Sequence, residues 1–260
     1  MAHAPAGGVP ESPLWLKLSS YVTLTCEEAA FLAELERTVV RQPGRTDLLR
    51  QGDRYGEASV LREGWAIRHK ALPDGRRQVV NFVLPGDIIG IYSHLFECAD
   101  HSVTTLTAVE VASFPPERIV ELFRGFPRLA AALAWSGARE EAMVAERLLS
   151  LGRRTALERV AHLIVELLRR LSVVNMAQGD TFTLPVTQEI MADALGLSIV
   201  HVNRTLRRLR DSGLIEFSGQ RITVKDVAQL AVVGQFDELY LHFIQAPDQL
   251  ERAFSKVRRV

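Results

Sequence analysis

The run LPVTQEIMADALGLSIVHVNRTLRRLRDSGLIEFSGQRITV, residues 184–224, decides how the chain is read. Thr187 stands where an N-cap opens a short helix to about Leu195, and Glu189 in the first turn suits the positive end of the helix dipole. Ile190, Met191, Ala194 and Leu195 give that helix an apolar stripe. Gly196 falls where the chain must turn, a place for a residue able to take positive φ. Ser198 then caps a second helix to about Arg210. At 100° per residue, Val202, Leu206 and Leu209 share one side, while Val200, Arg204, Arg207, Arg208 and Asp211 share the other. Gly213 ends the helix; Leu214, Ile215 and Phe217 alternate into a strand, Ser218-Gly219 turns it, and Ile222 and Val224 return it. This order of elements reads as a winged helix-turn-helix, whose second helix is built to enter a DNA major groove. The bland reading is a helical hairpin with a solvated basic face; cap, glycine, charged face and wing in sequence argue against it.

Working outward, the chain resembles the CRP/FNR superfamily of bacterial transcription regulators over nearly its whole length. The runs VNRTLRRL (202–209) and PDGRRQVVNFVLPGDIIG (73–90) carry the resemblance. It implies an α+β fold: an N-terminal double-stranded β-helix (jelly-roll) effector domain, a long dimerisation helix and a C-terminal winged helix-turn-helix. By the same resemblance Arg204 matches the family's guanine-reading arginine, and Val200 and Asn203 match its other base-reading positions. Many members carry glutamate where this chain has Val200. A valine cannot accept from a cytosine amino group, so the family's best-known half-site does not carry over. Thr187, Gln188, Ser198, His201, Arg207, Arg208 and Arg221 complete the expected DNA-facing set. The implied partners are double-stranded DNA, a second copy of the chain and RNA polymerase.

Composition agrees with this outline. The 260 residues hold 31 basic and 31 acidic side chains, so the whole is not a polycation. Yet residues 195–225 gather Arg204, Arg207, Arg208, Arg210, Arg221 and Lys225 against Asp211 and Glu216, a local electrostatic footprint for a polyanion. The cysteines are Cys26 and Cys98, which excludes a disulfide scaffold and suits a reducing cytoplasm. No apolar run reaches the ~20 residues that span a bilayer, and no leader pattern is read at the N-terminus. A cytoplasmic protein without membrane contact is expected.

The expected organisation is a disordered stretch at 1–13, a β-roll domain at 14–126, a dimerisation helix at 127–151, the winged domain at 152–232 and a helical extension at 233–260. A helix at 25–37 precedes turn signals at Pro43-Gly44, Gly52-Asp53, Gly64, Pro73-Asp74-Gly75 and Pro85-Gly86, between which strands fall at 59–61, 65–71, 78–84 and 102–114. A short helix at 117–123 follows. Pro127 opens the long helix, along which Ala131, Trp135, Ala138, Ala142, Ala145 and Leu149 recur at spacings of three and four, the seam of a two-stranded coiled coil. Leu129, Leu133 and Met143 form a second apolar stripe for the β-roll. Residues 153–171 read as an amphipathic helix, 173–179 as a loop, 227–243 as one helix and 249–260 as another. This tail is expected to pack against the DNA-binding domain.

The effector is where the residues say least. In cyclic-AMP-sensing members a glutamate binds the ribose and an Arg-Ser pair the phosphate. In GDIIGIYSHLFECADHSV (86–103) the glutamate position is Ile91 and the pair is nearest to His101-Ser102. Neither substitution preserves the chemistry, so cyclic AMP is not expected. Two cysteines cannot supply the four thiolates of an iron–sulfur cluster. His69, His94 and His101 show no spacing that marks a haem ligand, and no metal site is read. The acidic neighbours of Cys98 argue against a reactive thiol. Tyr92, His101 and Ser102 remain the effector-contact candidates. The alternative function is a ligand-binding module that senses a small molecule or redox state through the β-roll. No nucleophile–base pairing, metal cluster or phosphate loop suggests an enzyme.

Overall fold

The computed structural model describes residues 11–54, 56–90, 95–243 and 245–256. The expected disordered stretch falls largely outside these residues, but its end does not. Ser12 accepts from Trp15 N–H and caps α1 (Pro13–Ser19), which Pro13 opens. Thr25 and Glu28 close a capping box on α2 (Cys26–Leu35).

Eight strands then build the roll: β1 (Val39–Gln42), β2 (Asp47–Leu49), β3 (Ala58–Glu63), β4 (Ala66–Ala71), β5 (Arg77–Val83), β6 (Ile88–Ile89), β7 (Ser102–Thr105) and β8 (Val109–Phe114). They form two antiparallel four-stranded sheets, ordered β1-β8-β3-β6 and β2-β7-β4-β5. Leu61, Ala66, Val83, Ile89, Val103, Val109 and Val111 fill the space between them. The run 102–114, read as one strand, is two. The chain crosses from one sheet to the other at Leu106, whose N–H donates to Trp65 O, and hydrophobic alternation continues on both sides of the crossing.

α3 (Glu117–Gly125) and α4 (Pro127–Arg153) follow. Leu129, Ala132 and Leu133 of α4 join Leu14, Leu18, Phe31 and Leu32 under the first sheet, at Ala58, Val60, Ala112 and Phe114. A second capping box, Thr155 with Glu158, starts α5 (Ala156–Val173). Its core face, Ala161, Ile164, Leu167, Leu168 and Leu171, is buried as the periodicity predicts.

The predicted loop at 173–179 instead contains β9 (Ala177–Gln178), paired with β10 (Thr181–Thr183). These strands extend the wing into a four-stranded sheet, β11-β12-β10-β9, with β11 (Ile215–Ser218) and β12 (Arg221–Val224). Two-residue pairings leave no readable alternation, which is why the sequence shows only the longer hairpin. The helices α6 (Gln188–Leu195) and α7 (Ile199–Asp211) sit where their caps place them.

The tail departs most from expectation. The helix predicted over 227–243 breaks after α8 (Val227–Val233) and resumes as a 3₁₀ turn (Glu238–Leu241); Gln235 between them takes positive φ. The final helix, α9 (Asp248–Lys256), does not pack on the DNA-binding domain. Ala246, Leu250 and Phe254 join the core of α1, α2 and α4 in the effector domain. The periodicity of α9 shows that one face must be buried; nothing in it says which domain supplies the cover.

The two domains meet directly. Trp65, Ile67, Val79, Phe82 and Leu84 of the roll share one hydrophobic cluster with α5, α6 and the wing. Arg77 Nε lies 2.7 Å from Asp193 of α6, and Gln78 Nε2 donates to Ala194 O at 3.2 Å. Arg170 of α5, buried with its side chain 4% exposed, donates to Asn81 Oδ1, Phe82 O and Asp87 Oδ2 at 2.9, 2.7 and 3.1 Å.

Candidate nucleic-acid interface

The recognition face is assembled by two caps and one glycine. Thr187 Oγ1 accepts from Ile190 N–H at 3.2 Å and fixes the start of α6. Gly196 then takes φ 61° and ψ 41°, left-handed values that suit a residue without a Cβ, and turns the chain toward α7. Ser198 Oγ accepts from His201 N–H at 3.2 Å and also lies 3.0 Å from His201 Nδ1, so the first turn of α7 is held from two sides. Inside the angle between the helices, Ile190, Met191, Ala194 and Leu195 face Val202 and Leu209, all buried; Thr205 is buried beside them and Leu206 half-buried.

The opposite side of α7 is open. Val200 is 73% exposed, and His201, Asn203, Arg204, Arg207, Arg208 and Arg210 are exposed with it. None of these four arginines has an acidic partner among the described residues. A row of guanidinium groups left unneutralised on one helix face makes a positive surface of the kind phosphates occupy. A groove of about 280 Å³ continues it between α6, α7 and the wing, lined by Thr187, Gln188, Asn203, Arg210 and Gln220. Arg221 at the wing's turn is exposed, and its Nη2 reaches Gln178 Oε1 at 3.1 Å. Of the residues expected from the sequence to face DNA, Thr187, Gln188 and Asn203 line this groove, and Ser198, Val200, His201, Arg204, Arg207, Arg208 and Arg221 are exposed. Sequence reading missed the buried frame behind them: Arg159, which donates to Arg154 O, Leu151 O and Leu195 O, and Arg170. Nothing in a helical periodicity distinguishes such an arginine from a solvated one.

The residues read as the dimer seam divide. Ala138, Ala145 and Leu149 are exposed, Ala131 and Ala142 half-buried. Trp135 is half-buried and stacks on Tyr21 at 4.8 Å with the rings 6° from parallel, an aromatic partner within the chain. The exposed stripe of α4 runs Ala134, Ala138, Glu141, Ala145 and Leu148, still at spacings of four and three.

In the roll, His101 and Ser102 are engaged within the fold. His101 Nδ1 lies 2.7 Å from Asp100 Oδ1, and burial, only partly offset by Asp100, lowers the imidazole's proton affinity. Ser102 Oγ accepts from Gln51 N–H at 3.0 Å. His69 Nε2 lies 2.9 Å from Thr104 Oγ1. Ile91, Tyr92 and His94 lie outside the described residues. Cys26 opens α2 and Cys98 pairs with Arg54 in an isolated bridge; both thiols belong to exposed residues.

A jelly roll, a long helix with an open apolar stripe and a winged helix-turn-helix with a bare cationic face define the architecture of a transcription regulator. Comparison with known proteins agrees. Residues 40–125 match the family model of the cyclic nucleotide-binding domain, and residues 158–233 that of the Crp-like helix-turn-helix domain. The chain is 31% identical over 208 residues to the transcriptional activator protein FnrL of Cereibacter sphaeroides, covering 78% of this chain and 83% of that protein. It is 34% identical over 210 residues to the nitrogen fixation regulation protein FixK of Bradyrhizobium diazoefficiens, covering 80% and 87%. The solved structure of FixK2 from Bradyrhizobium japonicum superimposes with a TM-score of 0.69 at 25% identity, over 75% of this chain and 96% of that one. The chain belongs to the CRP/FNR family of transcription regulators.

Proposed function

We propose that the chain acts as a homodimer that binds a two-fold symmetric DNA site and regulates transcription there. The observation that carries this is the face of α7, where Arg204, Arg207 and Arg208 stand exposed without acidic partners among the described residues. Each dimer presents two such helices to successive major grooves about 34 Å apart. Arg204, with Asn203 and Val200 beside it, reads base edges. Arg207, Arg208 and Arg221 meet phosphates, with Thr187, Gln188, Ser198 and His201 at the helix starts near the backbone. The partner helix covers the stripe Ala134, Ala138, Glu141, Ala145 and Leu148, where small residues allow close approach. Sedimentation of Leu148→Glu tests the pairing: a monomer at concentrations where the parent is a dimer supports it, and an unchanged dimer refutes this seam. RNA polymerase is the further partner, consistent with relatives named as transcriptional activators. The protein works in the cytoplasm; no helix among the described residues is long and apolar enough to cross a membrane. No catalytic role is assigned.

For the effector, we read the roll as not answering to cyclic AMP. An isoleucine at position 91 offers a ribose no acceptor, and the neutral His101, already held by Asp100, is a poor anchor for a phosphate. A four-cysteine iron–sulfur centre has too few thiolates here, and no histidine is marked out for haem. Titrating a selected duplex with and without cyclic AMP tests this; a tightening of tenfold or so on adding the nucleotide overturns it.

A further inference from the structure

The match to the helix-turn-helix family model ends at Val233, and the described residues after it, 234–243 and 245–256, cross from the DNA-binding domain to the effector domain. Gly234 starts the crossing by passing tight against α5: a Cβ there would lie 2.6 Å from His162 N and 2.9 Å from His162 Cα, so only glycine allows the approach. Arg154 Nη2 donates to Gln235 O at 3.0 Å. Phe236 and Tyr240 flank the buried His162 ring, at 5.2 and 5.7 Å between centroids. Tyr240 Oη donates to Glu166 Oε2 at 3.0 Å; Glu166 is a buried α5 carboxylate that also faces Arg147 at 3.3 Å and Arg170 at 3.5 Å. His242, in the left-handed region, turns the chain onto α4, where Phe243 covers the Arg139 guanidinium at 4.5 Å. Ala246 N–H then donates to Tyr21 O at 2.7 Å. Finally Glu251 accepts from Arg128 Nη1 at 2.8 Å and from Thr23 N–H at 3.3 Å, with Phe254 over Arg128 at 5.3 Å.

We propose that residues 234–243 and 245–256 form a strap that fastens the DNA-binding domain to the effector domain, so that seating or lifting it sets how firmly α6 is docked on β5. One end grips α5, the other α1 and α2, and the middle runs along α4 from Arg147 to Arg128. The attachments are those of a releasable device. Besides the apolar seats of Phe236, Leu241, Ala246, Leu250 and Phe254, they are ring contacts on His162, single hydrogen bonds, the Arg128–Glu251 ion pair and ring-on-cation contacts that hold only while the neighbouring helices keep their places. The domain contact that they reinforce joins an apolar patch, Trp65, Ile67, Val79, Phe82 and Leu84 against α5 and α6, to a polar rim of Arg77 with Asp193, Gln78 with Ala194 O, and Arg170 with the β5 edge. In a dimer, the position of the winged domain on the roll determines the distance between recognition helices. A strap that controls this contact therefore controls DNA fit without touching DNA.

Amide exchange on the full-length protein, without DNA, tests the strap separately from any claim about base reading. Gly234→Val forces the strap's backbone away from α5. It should raise exchange about tenfold or more in 77–83 and 188–195, where the two domains meet, while leaving the wing strands at 215–224 unchanged. Tyr240→Phe, which keeps the ring and removes the bond to Glu166, should do the same more weakly, and it decides the matter if Gly234→Val does not fold. Faster exchange confined to 235–256, with 77–83 and 188–195 as in the parent, overturns the proposal.

Discussion

Arginines occupy two regions of this molecule and are treated in opposite ways. At the junction of α4, α5 and β5, three guanidinium groups have fixed polar partners. Arg170 bonds Asn81, Phe82 and Asp87; Arg159 bonds three carbonyls; Arg154 bonds Glu146 at 2.6 Å. On α7 the arginines have no acidic partner among the described residues and stand in solvent. The junction uses charge to fix geometry in a dry environment. The α7 face leaves charge unsatisfied, which is useful only if a polyanion arrives. The difference separates the frame from the contact surface more sharply than composition does.

The largest effect should come from breaking the junction. Arg170→Met leaves Asp87 with Lys17 as its one neighbouring cation among the described residues and strips Glu166 of a neighbour, and should cost about 3–5 kcal/mol in chemical denaturation. A loss below ~1 kcal/mol would mean that the network is not holding the domains. On the α7 face stability should hardly change while binding does. Arg204→Ala should cost about 1–3 kcal/mol on a selected duplex and relax the preference at one base pair.

Acid distinguishes the two regions again, because the junction buries titrating groups and the α7 face stands in solvent. Burial holds His162 at about 4, below the ordinary ~6.5 of an imidazole. The unfolded chain therefore takes up this proton first, and stability should fall as pH drops from about 6.5 through 4. Glu166 and Glu146 pull the other way, Arg154 and Arg147 with the burial; Glu146 Oε1 is 3.3 Å from Nε2 but not aligned as a hydrogen bond, so it counts as proximity alone. Burial by itself would raise Asp87, but Lys17 and Arg170 outweigh it and hold the carboxyl at about 2. Its contribution is present above about pH 4 and lost below. Urea midpoints against pH should show both windows, and His162→Phe should shrink the upper one, to which His69 and His101 also contribute through burial; an unchanged upper slope would assign it to those groups alone. The smallest effect is Arg208→Ala, which should weaken all duplexes alike and flatten the salt slope by about one unit.

What the sequence discloses follows the range of the interactions. Thr187, Gly196 and Ser198 act within three residues or so, and α6 and α7 start where the pattern puts them; the reading over 153–171 began three residues early, because α4 runs on to Arg153 and Thr155 caps α5. The face of α7 is equally local, since it depends only on helical spacing. Longer-range choices were not legible. Trp135 fits a coiled-coil seam by spacing, yet stacks on Tyr21, 114 positions earlier. The apolar face of α9 could have covered either domain. Arg170 and Arg159 look like surface arginines until the fold brings Asn81, Phe82 and Leu195 to them.

The most direct measurement is the salt dependence of binding by the parent protein to a selected duplex and to its scrambled counterpart. With Arg207, Arg208 and Arg221 of both subunits on phosphates, log K against log salt should fall with a slope of roughly −5, and the selected duplex should bind the tighter of the two throughout. A slope near zero, or equal affinity for both duplexes, would contradict the assignment of the bare α7 arginines to DNA.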